Sequence, residues 1–372
     1  MKRNENNESS HYSEMFELIY RSEKISKQEI AQRLDLSLPT VTQTLRQLMD
    51  DEQIVTDGKF SSNVGRRAVV YSPNKGKIYA VGIELFADHA TLTLLDVMYT
   101  DLGHETINLQ FTIQDEYFNR LGHWLHDFLH DQKIAVEKIV GVGVGIQGLI
   151  SADGRTVLYG KILDCTGLTS DVFERAFQLP VTLYHDADCV AIAEQALSGD
   201  HQDAIYLSIG EHLGSAIIIN DQIYTGQNGR SGTMEHITLN SQNGKLCYCG
   251  RRGCLETFCS LSALLKSNET IDSFITQVRA GDPECVQRWK NYLNDLAEVI
   301  NDLHMFVDNR LVIAGVLVRY LDQSVVDQIS EKLKKITAFP EDRPYVELGI
   351  IKERAVSIGA AVPLITQVLQ DI

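Results

Sequence analysis

One stretch restricts this chain more than any other: His236 to Glu256, which reads HITLNSQNGKLCYCGRRGCLE. A histidine is followed after ten residues by Cys247, then Cys249, then Cys254. Three of the seven cysteines in the chain therefore fall within eight residues, with Gly250 and Gly253 among them. One imidazole and three thiols are the donor set of a closed tetrahedral zinc site. Glycine lets the backbone turn tightly enough for three sulfurs to reach one ion. Small apolar core cysteines would have no need of this spacing. The expectation is a structural Zn2+ held by His236, Cys247, Cys249 and Cys254.

At 372 residues the chain is long enough for two or three domains, and 44% apolar residues supply a sizeable core. No run of eighteen or more apolar residues exists, so no transmembrane helix and no membrane partner are expected. The opening MKRNENNESSHYSE lacks the apolar segment of a secretory signal. Cysteines grouped as ligands rather than as a disulfide framework fit a reducing cytoplasm. The net charge of −16 argues against non-specific coating of nucleic acid. It is spread unevenly: up to Ser72 there are roughly ten basic and eleven acidic side chains. Any DNA contact should be confined to residues 1–72.

That segment reads as a winged helix-turn-helix. Met15, Leu18, Ile19 and Ile25 mark one face of a first helix. Ser26-Lys27-Gln28-Glu29 has the Ser-x-x-Glu form of a capping box. A short helix follows through Ile30, Ala31 and Leu34. Ser37 is a good N-cap for the next helix, and Pro39 sits in its first turn, where a missing N–H costs nothing. Val41, Leu45 and Leu48 form a buried stripe, which leaves Thr40, Thr42, Gln43 and Arg46 for a major groove. Two strand-like runs then flank a Ser/Asn/Gly-rich turn, the pattern of a hairpin wing. Lys59, Arg66 and Arg67 gather positive charge there, suited to phosphate or minor-groove contact. The expected partner is a double-stranded DNA operator.

After this segment the fold class is α/β. IYAVGIELFADHATLTLLD reads as a hairpin opening an α/β lobe, and a helical stretch follows around Tyr117 to His130. IVGVGVGIQGLIS is a buried strand whose glycines allow close backbone approach. VTLYHDADCVAIAEQAL is a strand entering a helix, and AIYLSIGEHLGSAIIINDQIYTG is another pair of strands. Helices and strands alternate to the C-terminus, which implies sheets covered by helices. The expected division is 1–72, 73–195 with a C-terminal helix at 355–372, and 196–354.

The order of these motifs, above all the Cys knot ending in Gly-Cys-Leu-Glu, resembles the ROK family of bacterial repressors and sugar kinases. The match covers nearly the whole chain, and the winged helix marks the repressor branch. The resemblance implies two actin-like lobes with a sugar site in the cleft between them. It also implies two phosphate-cradling loops, which need glycines and no opposing carboxylate. The first matches Glu84, Leu85, Phe86, Ala87 and Asp88, where both glycines are gone and an acid replaces Thr. The second matches Gly210, Glu211, His212, Leu213 and Gly214, again with an acid in place of Thr. Carboxylates aimed at a polyphosphate oppose the stabilisation that phosphoryl transfer needs, so no enzyme activity is expected.

The resemblance also implies an effector site. The Asn-Asp pair of the family becomes His185-Asp186, and Asp164 stands where an Asn is usual. Gly-Glu-x-Gly-His becomes Gly232, Thr233, Met234, Glu235 and His236, so the sugar-binding Glu is lost at Thr233 while Glu235 lies two residues on. His236 and Glu256 are retained. Asp164, His185, Asp186, Glu235, His236 and Glu256 are thus the candidate effector residues. The first reading is a repressor of carbohydrate genes gated by a sugar or sugar phosphate, acting as a homodimer or homotetramer. Two others stand beside it: a sugar kinase with an appended DNA-binding domain, and a regulator controlled by a protein partner with a vestigial cleft.

Overall fold

The computed structural model describes residues 2–59, 68–339 and 341–372, with side chains from 11 onward outside 59–67. The first helix, α1 (Lys2–Ser22), ends before Glu23, whose φ of 56° is incompatible with continuing the helix. Ile25 therefore does not belong to the first helix, as the apolar spacing suggested. It lies in the short strand β1 (Ile25–Ser26), yet is still buried with Met15 and Ile19. Ser26 caps α2 (Lys27–Arg33) with a complete capping box: its hydroxyl accepts from the Glu29 N–H, and its own N–H donates to the Glu29 carboxylate at 2.9 Å. Ser37 caps α3 (Leu38–Asp50), accepting from the Thr40 N–H. Such a cap stabilises a helix by about 1 kcal/mol. Strands β2 (Ile54–Lys59) and β3 (Val69–Pro73) pair antiparallel, and β1 joins the far edge of β3.

The next sheet holds β4 (Tyr79–Leu85), β5 (His89–Asp96), β6 (Asp101–Asn108) and β7 (Ile139–Ile146). A small hairpin, β8 (Leu149–Ile150) with β9 (Val157–Tyr159), precedes its last strand, β10 (Val181–His185). Helices α4 (Asp115–Asp131) and α5 (Ser170–Phe177) cover one face, and α6 (Asp186–Ser198) leaves directly from β10. The second large sheet holds β11 (Ala204–Ile209), β12 (Leu213–Ile219), β13 (Gln222–Ile223), β14 (Arg310–Ala314) and β15 (Val346–Leu348). Between β13 and β15 lie α7 (Glu256–Cys259), α8 (Leu261–Leu264), α9 (Ile271–Ala280), α10 (Pro283–Phe306) and α11 (Gln323–Ile336).

The two large sheets share one topology. In each, three consecutive antiparallel strands are followed by two parallel ones added on the side of the first strand. The orders are β6-β5-β4-β7-β10 and β13-β12-β11-β14-β15. Each parallel crossover carries helices that bury a sheet face.

The last helix, α12 (Ala355–Gln370), returns to the first lobe and packs on β4, β7 and α6. Its approach depends on missing side chains. A Cβ at Gly143 would stand 1.9 Å from the Ala360 carbonyl oxygen, and one at Gly359 would stand 1.8 Å from that of Cys189. The far end of α12 leaves the lobe. Leu369 and Ile372 pack against the winged-helix core, and the Ser13 hydroxyl donates to the Ile372 carbonyl at 3.0 Å. Tyr20 of α1 donates to the Val97 carbonyl at 2.9 Å. Between the lobes, Glu194 of α6 accepts the N–H groups of Ile350 and Ile351, at 2.8 and 3.0 Å. No helix among the described residues is long and apolar enough to cross a membrane.

Candidate functional site

A cleft of about 530 Å³ opens between the lobes, a size typical of small-molecule sites. Four of the six residues singled out from the sequence line it: His185, Asp186, Glu235 and His236. The end of β10 and the start of α6 deliver His185 and Asp186, so the strand-to-helix turn presents both at the C-terminal edge of the sheet. That is where ligands bind in open α/β sheets. His185 Nε2 lies 3.3 Å from Asp186, and its Nδ1 lies 3.6 Å from Asp188. Burial pulls the imidazole pKa down, but the hydrogen bond to Asp188 and the surrounding carboxylates outweigh it and lift it to about 10. His185 is therefore a cationic donor fixed between two acids. Burial pushes Glu84, behind Asp186, up to about 8, with help from the Asp186 charge.

Glu235 is 7% exposed. Its Oε2 has no hydrogen-bond partner among the described residues, while Oε1 lies 3.9 Å from His236 Nε2. A buried oxygen without a donor costs about 1–3 kcal/mol, so a polar ligand in the cleft has something to satisfy. Lys161 and Arg230 line the rim from opposite lobes, and Tyr248 stacks edge-on against both His212 and His236.

The other two candidates are placed differently. Asp164 is exposed, has a left-handed φ of 48°, and is not brought to the cleft wall. Glu256 is 4% exposed and already occupied. One oxygen lies 2.8 Å from His212 Nδ1, and the other accepts the Leu213 N–H at 2.7 Å. Both partners belong to the glycine-bounded loop Gly210–Gly214. An amide that would face a phosphate in such a loop instead faces a protein carboxylate. The Gly210 N–H is taken by the His212 carbonyl. The other glycine-depleted loop is a tight hairpin in which Asp88 pairs with His89 at 2.6 Å and Phe86 stacks on His89. Each loop thus spends some of its amides on the protein itself, at Phe86 in one and at Gly210 and Leu213 in the other. Sequence reasoning missed His212, whose role depends on a residue 44 positions away.

The donor atoms of His236, Cys247, Cys249 and Cys254 lie within 4.8 Å of one another. Cys247 Sγ is 3.7 Å from His236 Nδ1, and Cys249 Sγ is 3.7 Å from Cys254 Sγ. A tetrahedron built on ~2.3 Å metal–sulfur bonds has edges of ~3.8 Å. Burial pushes the Cys247 and Cys254 thiols up, so three thiolates here require a compensating cation. The chemistry and spacing of the set fit zinc.

In the winged helix, Thr42, Gln43 and Arg46 are exposed on α3 while Val41, Thr44, Leu45 and Leu48 are buried. Gln47 shares the exposed face and was not among the sequence candidates. Ser37 and Thr40 are partly spent on capping, their hydroxyls 2.8 Å apart, and Pro39 is exposed in the first turn. Lys27 donates to the Thr42 hydroxyl at 3.1 Å. Lys59 ends β2, whereas Arg66 and Arg67 lie outside the described residues.

A winged helix-turn-helix carried on two lobes of equal topology, with a histidine-cysteine knot beside the cleft, defines a restricted class of proteins. The chain belongs to the ROK family, whose sequence pattern matches residues 80–366. A winged helix-turn-helix DNA-binding pattern matches residues 15–55. Among named relatives, the xylose repressor of Bacillus subtilis (strain 168) is 30% identical over 258 residues, or 68% of this chain and 66% of that protein. The DNA-binding transcriptional dual regulator NagC of Escherichia coli (strain K12) is 28% identical over 67% of this chain and 62% of its own length. The chain thus spans slightly under two thirds of the length of these relatives. Among solved structures, a ROK family transcriptional regulator, a homolog of the E. coli MLC protein, superposes with a TM-score of 0.75 at 22% identity, covering 97% of this chain and 96% of that one. A ROK family glucokinase from Streptomyces griseus, in complex with glucose and AMPPNP, gives 0.67 at 21% identity over 77% and 98%.

Proposed function

We propose that this protein is a DNA-binding transcriptional repressor of carbohydrate-utilisation genes, gated by a sugar or sugar phosphate in the interlobe cleft. The observation that carries the reading is α12. Asp186 in the cleft opens α6, α6 packs on α12, and Leu369 and Ile372 at and just beyond the end of α12 pack against the winged-helix core. A ligand that favours one lobe closure therefore acts on the seat of the DNA-binding head. It shifts the equilibrium only by its differential affinity for the two closures, about 5.5 kcal/mol for a full reversal.

Within this reading His185, Asp186, Glu235 and His236 face the effector, and Glu256 acts through His212 and Leu213. Asp164 is left outside the ligand set. Zn2+ bound by His236, Cys247, Cys249 and Cys254 would fix the loop that bears Glu235. Ser37, Pro39, Thr40, Thr42, Gln43 and Arg46 approach the major groove, and Lys59, Arg66 and Arg67 the backbone or minor groove. Two-fold operators match a homodimer or a tetramer built from one. The protein works in the cytoplasm and transfers no phosphoryl group. The acids Asp88 and Glu211, together with the amides already spent at Phe86, Gly210 and Leu213, favour this reading over a kinase.

The test is to select duplexes from random-sequence DNA with the full-length protein. Fluorescence anisotropy of the selected duplex is then followed while sugars, sugar phosphates and ATP are added. A sugar that changes operator affinity supports the reading. ATP turnover on any hexose, or operator binding indifferent to every sugar, refutes it.

A further inference from the structure

The cleft is not closed at its far end. A second cavity of about 680 Å³ adjoins it, and Leu149, Leu158, His185, Asn228, Arg230 and Thr233 line both. Thr233 and His185 are among the residues the two spaces share. Thr233 is a short side chain whose hydroxyl turns away to donate to the Arg230 carbonyl at 2.7 Å. The second cavity has polar groups from Ser151, Thr182, Asp188 and Gln227, and apolar surface from Ile192 and Ile223. Hydroxyl-seeking groups beside apolar patches match the two kinds of surface on a sugar ring.

His185 divides the two spaces. Its Nε2 faces Asp186, which lines the first cavity only, and its Nδ1 faces Asp188, which lines the second only. One imidazole thus orients a carboxylate on each side. A carboxylate has about four acceptor sites, so each acid retains capacity for ligand hydroxyls after meeting His185. The first cavity alone is ample for one sugar unit, and nothing in a one-ring ligand would use the second.

We propose that the effector is a disaccharide, with one ring against Asp186 and Glu235 and the second against Asp188, and the glycosidic link passing between His185 and Thr233. This inference rests on the sugar-gated reading above. It assigns Asp188 as a ligand-binding residue for the second ring.

The experiment is isothermal titration of the full-length protein with matched pairs: xylose and xylobiose, glucose and cellobiose or maltose, N-acetylglucosamine and its β-1,4 dimer. At least one disaccharide should bind about tenfold or more tightly than its own monosaccharide. Ala152→Trp, at a position that lines only the second cavity, should weaken that disaccharide about tenfold while leaving the monosaccharide unchanged, and Asp188→Asn should cost the disaccharide more than the monosaccharide, which meets Asp188 only through His185. Asp186→Asn should weaken both. A monosaccharide that binds as tightly as its disaccharides, or an Ala152→Trp variant that loses both equally or neither, overturns the two-ring proposal and leaves sugar gating standing. Binding of neither member of any pair to cooperatively melting protein overturns the two-ring proposal, and gating itself is then decided by the operator titration with sugar phosphates.

Discussion

Glu194 is the group whose removal should be felt most widely. Its carboxylate, 3% exposed on α6, accepts two backbone N–H groups from Ile350 and Ile351, where the chain passes from the second lobe back to the first. A Cβ at Gly349 would stand 2.4 Å from Glu194 Oε1, so the backbone closes directly over the acid. Glu194→Ala deletes both acceptors. Ile351 is buried at 8% exposure, whereas Ile350 is 56% exposed, so one amide is orphaned outright and the other has a route to water. An unsatisfied buried donor costs about 1–3 kcal/mol, and the half-exposed one less, which gives ~2–4 kcal/mol before any offset. The offset is the desolvation of the carboxylate itself, which burial registers by raising its pKa. The net expectation is a loss of ~2 kcal/mol. Glu194→Gln should be no milder, because its amide NH2 would face one of the two N–H donors. Amide hydrogen exchange across 349–352 is the direct assay, with protection falling about thirtyfold. Protection that stays within a factor of about two would mean that the lobes are not pinned at this point.

Three further outcomes are expected. Arg46→Ala should weaken operator binding by about 1–3 kcal/mol in a fluorescence titration while sedimentation shows the same oligomer, and an unchanged footprint would remove α3 from the groove. Cys249→Ser should lower bound zinc below stoichiometry and destabilise the loop carrying Glu235 and His236, and protein that contains no zinc before substitution would refute the metal assignment. Glu84 has an ordinary pKa near 4.5 and is held at about 8 in the fold, so the folded protein keeps a proton that the unfolded chain has lost between those values. Stability should therefore fall as pH rises from about 4.5 to 8. Glu84→Gln should remove that fall, with an upper bound of ~5 kcal/mol, and parallel melting curves for both proteins across that range would contradict it.

What could be read from the sequence was what neighbours in sequence decide. The capping box at Ser26 and Glu29, the N-cap at Ser37 and the buried stripe of α3 are interactions within one helical turn or a few, and they formed as expected. The donor set His236, Cys247, Cys249 and Cys254 was legible because all four lie on one loop. Ile25 was misassigned because its burial beside Met15 and Ile19 imitates helical spacing, while Glu23 breaks the helix by adopting positive φ. The state of Glu256 was not legible, since it is decided by His212 and Leu213 arriving from another part of the second lobe. Asp164 is not among the residues that line the cleft, although its neighbours Lys161 and Ile162 are: a match of position in sequence does not fix the placement of a loop residue. The common strand order of the two large sheets was invisible for the same cause, because pairing partners such as β4 and β7 are joined only after a long crossover.

The packing of Leu369 and Ile372 against the winged helix also bears on how the molecule is made. The Ser13 to Ile372 contact spans 359 positions. While the ribosome is still building the lobes, the head has its helices and their caps but lacks Leu369 and Ile372 against its core. Contacts of such separation form late, because the intervening loop must first be closed. The winged helix would then be completed only after the two lobes exist, so, on the proposed function, a nascent or prematurely terminated chain would compete poorly for the operator. In the proposed regulator, order of synthesis guards against a head that grips DNA with nothing attached to control it.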